Sequence, residues 1–158
     1  MVRFSLCLLF LFPLPVIAQA SLSCPMRPET LGAMLHCYRP LLVFSPSATD
    51  ARLREQTKLL DAAADSMMDR FILLTPIVPN PKQYVTPLDT LYIVLNEHEM
   101  QAIRARFHVP PDRFEVVLLN EEGDVAMRSD EPIRVTPMDR LIDTWPRRKR
   151  EELRRDSY

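Results

Sequence analysis

Two uninterrupted apolar runs constrain this chain most. Pro40-Leu41-Leu42-Val43-Phe44-Ser45 and Phe71-Ile72-Leu73-Leu74-Thr75 are too short for buried helices and carry no polar face. Runs of this kind read as strands covered on both sides, the sort found inside parallel or mixed sheets. Between them Leu53, Thr57, Leu60, Ala64, Met67 and Phe71 recur at helical spacing, with Arg52, Arg54, Glu55, Lys58, Asp61 and Asp65 on the other side. That pattern predicts one amphipathic helix of about eighteen residues, capped by Thr49 or Asp50. Strand, helix and strand in this order form a βαβ unit with parallel strands and a right-handed crossover.

The remaining elements follow in order. Glu29 to His36 reads as a short helix with Leu31, Met34 and Leu35 on one side. The proline-rich stretch from Pro76 to Pro87 reads as a loop, and residues 90–95 read as a strand returning beside the second strand as a hairpin. Asn96 caps a helix bearing Met100, Ile103 and Phe107, which Pro110-Pro111 stops. Phe114 to Leu119 is a third core strand. Asn120-Glu121-Glu122-Gly123 is a turn, and Asp124 to Arg128 pairs back antiparallel. Thr136-Pro137-x-Asp139 has the form of a helix start, with Thr136 as the cap. Met138, Leu141, Ile142 and Trp145 form that helix's inner face, and Pro146 ends or kinks it.

Composition removes several functions. The chain has only two glycines, Gly32 and Gly123, against 15 prolines. A Walker-A loop, a dinucleotide fingerprint and a G-x-S-x-G elbow each need glycines close together, so none is present. His98 and His108 lack ligand spacing, and Glu121-Glu122-Asp124 lacks the regular oxygen spacing of a calcium loop. No metal or cofactor is expected.

The N-terminus points to export. Arg3 precedes an apolar run from Phe4 to Ile17, and Ala18-Gln19-Ala20 supplies a small-x-small cleavage pattern before Ser21. An uncleaved anchor is the alternative. Residues 1–20 are therefore a secretory signal, 21–38 a preamble, 39–146 the domain and 147–158 a basic tail. Cys7 leaves with the signal. Cys24 and Cys37 remain, in a periplasmic or extracellular setting where disulfides persist, and are a candidate bridge. Residues 146–155 hold six basic and two acidic side chains on an otherwise mildly acidic body. Arg147, Arg148, Lys149, Arg150, Arg154 and Arg155 are either a solvated helix face or an electrostatic contact for an anionic surface or an envelope or extracellular protein. Nucleic acid is not an expected partner of an exported chain.

The element order resembles the thioredoxin-like α/β arrangement, with a mixed central sheet built from the βαβ unit, a helix, the antiparallel hairpin and a C-terminal helix. Three motifs carry a closer resemblance. Arg39-Pro40-Leu41-Leu42, the turn Asn120-Glu121-Glu122-Gly123, and Ile142-Asp143-Thr144-Trp145-Pro146 followed by Arg147-Arg148 are similar to the signatures of the family called domain of unknown function 4174, over about residues 37 to 152. Asn120 stands where the family pattern has glycine. Members are mostly small exported bacterial proteins, with related domains in sushi-repeat type secreted matrix proteins. The resemblance implies a thioredoxin-like exported domain and no particular reaction.

The resemblance also says where redox chemistry would sit. Redox members place a nucleophilic cysteine at the start of the first long helix, where the helix end lowers the thiol pKa. Here that stretch is Ser45-Pro46-Ser47-Ala48-Thr49-Asp50-Ala51-Arg52, with Thr49 and Arg52 near the two cysteine slots. Pro46-x-x-Thr49-x-x-Arg52 is similar to the peroxiredoxin Pro-x-x-x-Thr-x-x-Cys loop, but one residue short and with arginine for cysteine. The position before the third strand, a cis-proline in redox members, is Phe114-Glu115. Without a thiolate at the helix start, disulfide exchange and peroxide reduction cannot begin there. Ser47, Thr49 and Arg52 remain candidates for an anion contact, unless Asp50 fills the site as a cap. The expectation is a non-catalytic exported binding or structural domain. The alternatives are a peroxiredoxin-related oxidoreductase using Cys24 and Cys37, and adhesion through the basic tail.

Overall fold

The computed structural model describes residues 24–155. The predicted signal and its Ala20–Ser21 cleavage site lie outside them. Arg39–Phe44 (β1) and Ile72–Ile77 (β2) pair in parallel, from Arg39 against Ile72 to Phe44 against Ile77. Glu115–Leu119 (β3) pairs antiparallel with β1, and Val125–Ser129 (β4) pairs antiparallel with β3, giving the order β2-β1-β3-β4. A mixed sheet holding the parallel βαβ pair and the antiparallel hairpin is what the sequence predicts.

The strand pleat sorts the core into two layers. Leu41, Val43, Ile72, Leu74, Val116 and Leu118 face one side. There they meet Ala51–Asp61 (α2), Ala64–Asp69 (α3) and Val135–Ile142 (α5), through Leu53, Leu60, Met67, Met138 and Ile142. Leu42, Phe44, Leu73, Ile77, Val117 and Leu119 face the other side. These are covered by Leu31–Met34 (α1) and Glu97–Arg106 (α4), through Met34, Met100 and Ile103. Both faces of β1 and β2 are buried, which is why their sequences show no alternation.

Several elements differ from expectation. The long helix is two, broken at Ala62-Ala63, where Ala63 turns out of helical geometry at φ −132° and ψ 28°. The Asp61 carboxylate at the break accepts from the backbone N–H of Leu88 and Thr90, each at 3.0 Å, and pins the following loop. Those backbone donors hold the carboxyl below its ordinary value even though burial pushes it up. Phe71 is not part of the core stripe. It follows α3 in the left-handed region at φ 51° and is 47% exposed.

Pro76 lies inside β2 instead of opening the loop. The Leu74 N–H points to the outer edge, where it donates to the Leu91 carbonyl. Pro76, two residues on, shares that direction, so its missing N–H leaves the ladder to β1 intact. Residues 90–95 form no antiparallel hairpin; they make one parallel bridge, Leu74 with Tyr92. The Glu29–His36 helix contracts to α1, capped by Thr30. Thr136 is not a cap, because α5 begins at Val135 after Arg134. Pro146 opens a last helix, Pro146–Arg155 (α6), in keeping with its fixed φ at a first helical turn. Among the described residues no helix is long and apolar enough to cross a membrane.

Gly123 carries the β3–β4 turn at φ 89°, with the Asn120 side chain accepting from the Glu122 and Asp124 N–H groups. A Cβ there would come within 3.0 Å of the Leu35 side chain. Gly123→Ala should therefore lose about 1–2 kcal/mol from backbone strain alone, read as a lower urea midpoint at unchanged slope. An unchanged midpoint would mean that the turn relaxes freely.

Candidate functional site

The two ends of β1 hold different chemistry. At its carboxyl end the chain runs through Ser45 to the start of α2. There Asp50 caps the helix, accepting from the Arg52 N–H at 2.8 Å. The same carboxylate pairs with the Arg52 guanidinium at 3.2 Å, and that guanidinium lies 5.1 Å from the Phe114 ring centre. Burial pushes the Asp50 carboxyl up, but its hydrogen bonds to Arg52 outweigh that and hold it low. Ser47 and Thr49 stand side by side, hydroxyl to hydroxyl at 3.4 Å. Ser47 and Thr49 are thus brought together, while Asp50 takes up the Arg52 N–H and guanidinium that an outside anion would use. Arg52 and Phe114, which the sequence resemblance sets at the cysteine and proline positions of redox members, pack on each other.

The cysteines are at the opposite end. Cys24 and Cys37 form a disulfide with Cα atoms 5.4 Å apart, and Tyr38 braces the loop by donating to the Pro25 carbonyl at 2.8 Å. Cys37 lies just before β1, and a six-residue strand spans about 20 Å. The bridge is therefore separated from the start of α2 by the length of the sheet.

Beside the bridge lies a buried ion network absent from the sequence expectations. Arg39, the first residue of β1, is 1% exposed. It donates to the Arg70 carbonyl at 2.6 Å, pairs with the Glu121 carboxylate, and reaches Glu151 at 3.2 Å, with its guanidinium 5.7 Å from the Trp145 ring centre. Arg148 of α6 is also buried. It donates to the Asp69 carbonyl at 2.8 Å and pairs with the Asp69 carboxylate; its Nε lies near Glu152 and Asp143 without hydrogen-bond alignment. Arg70 completes the network with a two-pronged contact to Asp143 at 2.8 and 2.9 Å. That contact holds the Asp143 carboxyl below its ordinary value.

The basic tail is thus an ordered helix turned toward the body. Arg148 is buried, Arg155 pairs with Asp69, and Arg147 donates to the His36 carbonyl. Lys149 and Arg150 stay on the exposed face, and the Arg154 Nε–H donates to the Arg150 carbonyl. The three sequence motifs meet here: Arg39 from the first, Glu121 from the turn, Asp143 and Arg148 from the third. One signal was available, an arginine opening a strand with no other polar residue.

Comparison with solved structures places this geometry in the thioredoxin-like class. The chain is similar to a Plasmodium vivax 2-Cys peroxiredoxin in its reduced form, with a TM-score of 0.55 and 17% identity, covering 76% of this chain and 84% of that one. It is similar to a Plasmodium yoelii thioredoxin peroxidase I, at 0.55 and 16%, covering 76% and 79%. It is also similar to Arabidopsis thaliana ScoI with copper bound, at 0.52 and 11%, covering 68% and 86%. At such identities the likeness is one of fold. The family described as domain of unknown function (DUF4174) matches residues 30–151, and the chain belongs to it. That span takes in Arg39, Glu121, Asp143, Arg148 and Glu151. No curated protein matches the chain in sequence.

Arg39→Met should cost about 3–5 kcal/mol, because Glu121 and Glu151 would face each other without their shared cation; chemical denaturation measures it. Asp143 gives a pH signature. Its folded pKa is depressed, so its contribution is present above the ordinary value of 3.8 and is lost as pH falls through the lower folded value. Asp143→Asn should therefore be less stable than the parent near neutrality, with the difference shrinking below that pH. A constant difference down to the acid transition would assign the effect to packing.

Proposed function

We propose that this chain is an exported, non-catalytic thioredoxin-like domain that acts by binding. One observation carries the reading: Cys24 and Cys37 are joined to each other beyond the amino end of β1, while the start of α2 holds Asp50, Arg52 and Phe114. Thiol chemistry on this fold uses a thiolate at the helix start, where the N-terminus stabilises it. The disulfide instead supports a structural role, closing the loop that carries α1 onto the sheet. The apolar N-terminal run and the small-x-small pattern before Ser21 support export, and the bridge fits an oxidising compartment.

The test is a purified protein beginning at Ser21, assayed for insulin-disulfide reduction and for thiol-dependent peroxide consumption. The expected result is no turnover above buffer, with Cys24→Ser and Cys37→Ser changing stability only. Turnover abolished by either substitution would overturn the reading and install a peroxiredoxin-related oxidoreductase in its place. Mass spectrometry of the protein from intact cells should find an N-terminus at Ser21. A retained Met1 in the cytosolic fraction would overturn export.

A further inference from the structure

Arg104, on the last turn of α4, differs in its surroundings from the other arginines that are buried or half-buried against the body. Arg39, Arg70 and Arg148 each face carboxylates. Among the described residues no carboxylate pairs with Arg104. Its Nη1 donates to the Pro110 carbonyl at 2.8 Å, and its Nη2 to the Ser45 and Ile77 carbonyls at 3.1 and 2.9 Å. The guanidinium also lies 5.5 Å from the Phe44 ring centre. Carbonyls supply partial charge only, and burial lowers the Arg104 pKa with nothing raising it. Two of its five donors, the Nε–H and one Nη1–H, have no acceptor among the described residues.

This cation lines a cleft of about 360 Å³. Ser45 and Ile77 stand at the carboxyl ends of β1 and β2, the edge at which open α/β sheets receive ligands. The walls are largely apolar, lined by Met100 of α4 together with Pro46, Pro79 and Pro111. Three prolines make those walls stiff, so little is lost in ordering them on binding. Glu97 lines the cleft as well, two helical turns from Arg104, or about 10 Å along the axis. A second negative charge on a ligand would meet it.

We propose that this cleft binds a monocarboxylate with an apolar body, its carboxylate on the Arg104 guanidinium and its body between Met100 and the prolines. A free small acid and the C-terminus of a peptide share that chemistry. The proposal deepens the reading as a binding domain and names its ligand class. It uses no thiol, so its failure would leave the turnover assays above to stand or fall independently.

The experiment is a nuclear magnetic resonance titration of the folded, disulfide-bonded protein, following the Arg104 Nε–H and the Met100 methyl. The probes are benzoate against benzamide, acetyl-Ala-Leu against its C-terminal amide, and inorganic phosphate. Saturable shifts at both reporters with at least one free carboxylate, and not with its amide, are expected; which carboxylate binds assigns the source. Arg104→Lys should weaken that binding about tenfold, because an ammonium presents neither the free Nε–H nor the free Nη1–H at those positions. Glu97→Gln, on an exposed residue, should leave the fold intact, tighten the carboxylate and admit phosphate. Absence of shifts with both carboxylates, equal shifts with the amides, phosphate binding as strong as the carboxylates in the unsubstituted protein, or no effect of either substitution would each overturn the proposal.

Discussion

A guanidinium sealed inside the protein at the first residue of β1 sets the terms for everything around it. Arg39 opens a strand whose residues are all buried, so its charge cannot reach water. A buried cation of this kind is tolerated only when carboxylates and carbonyls surround it. The chain supplies them from three distant places: the Arg70 carbonyl before β2, Glu121 in the β3–β4 turn and Glu151 on α6. Each partner brings its own element with it. The parallel crossover, the hairpin and the last helix are thereby held to one point, and the three sequence motifs become parts of one structure.

This explains why a helix as charged as α6 is ordered. Its sequence has almost no apolar content to bury, and a helix of its length is marginal alone in water. What holds it is a set of inward charges, Arg148 on Asp69 and Glu151 on Arg39. Such pairs add little net stability over an apolar contact of the same shape, but they are unforgiving of a wrong register. Removing α6 would take Glu151 from Arg39, and Arg148 and Arg155 from Asp69, so the helix is tied into the same network as the β3–β4 turn.

The sheet and its helices were legible because burial leaves a periodic trace. β1 and β2 show as unbroken apolar runs, β3 shows as the apolar stretch after Glu115, and α4 shows through Asn96, Met100 and Ile103. The trace fails where periodicity carries on through a change of structure. Leu60, Ala64 and Met67 keep their spacing across the break at Ala62-Ala63, so two helices looked like one. Phe71 continued the same stripe on paper, yet its left-handed backbone turns it outward. The ion network left a weaker trace still. Charges are read as solvent-facing by default, and nothing local to Glu121, Asp143 or Arg148 says that each has a partner far along the chain. Only tertiary structure brings Arg39 within reach of a turn 82 residues later.

The two ends of the sheet have been given opposite electrostatic solutions. At the amino end of β1 every buried arginine is matched by carboxylates from the chain itself, which leaves little for a ligand to do there. At the carboxyl end Asp50 already fills the start of α2, while Arg104 is met by backbone carbonyls and the Phe44 ring and by no carboxylate among the described residues. If both ends were merely structural, the same matching would be expected at each, since an unmatched half-buried cation lowers stability and is easily corrected by one acidic neighbour. The mismatch is confined to the edge of the sheet that the fold leaves open. That asymmetry, more than the absence of cysteine from the helix start, is what directs attention to binding at the carboxyl end.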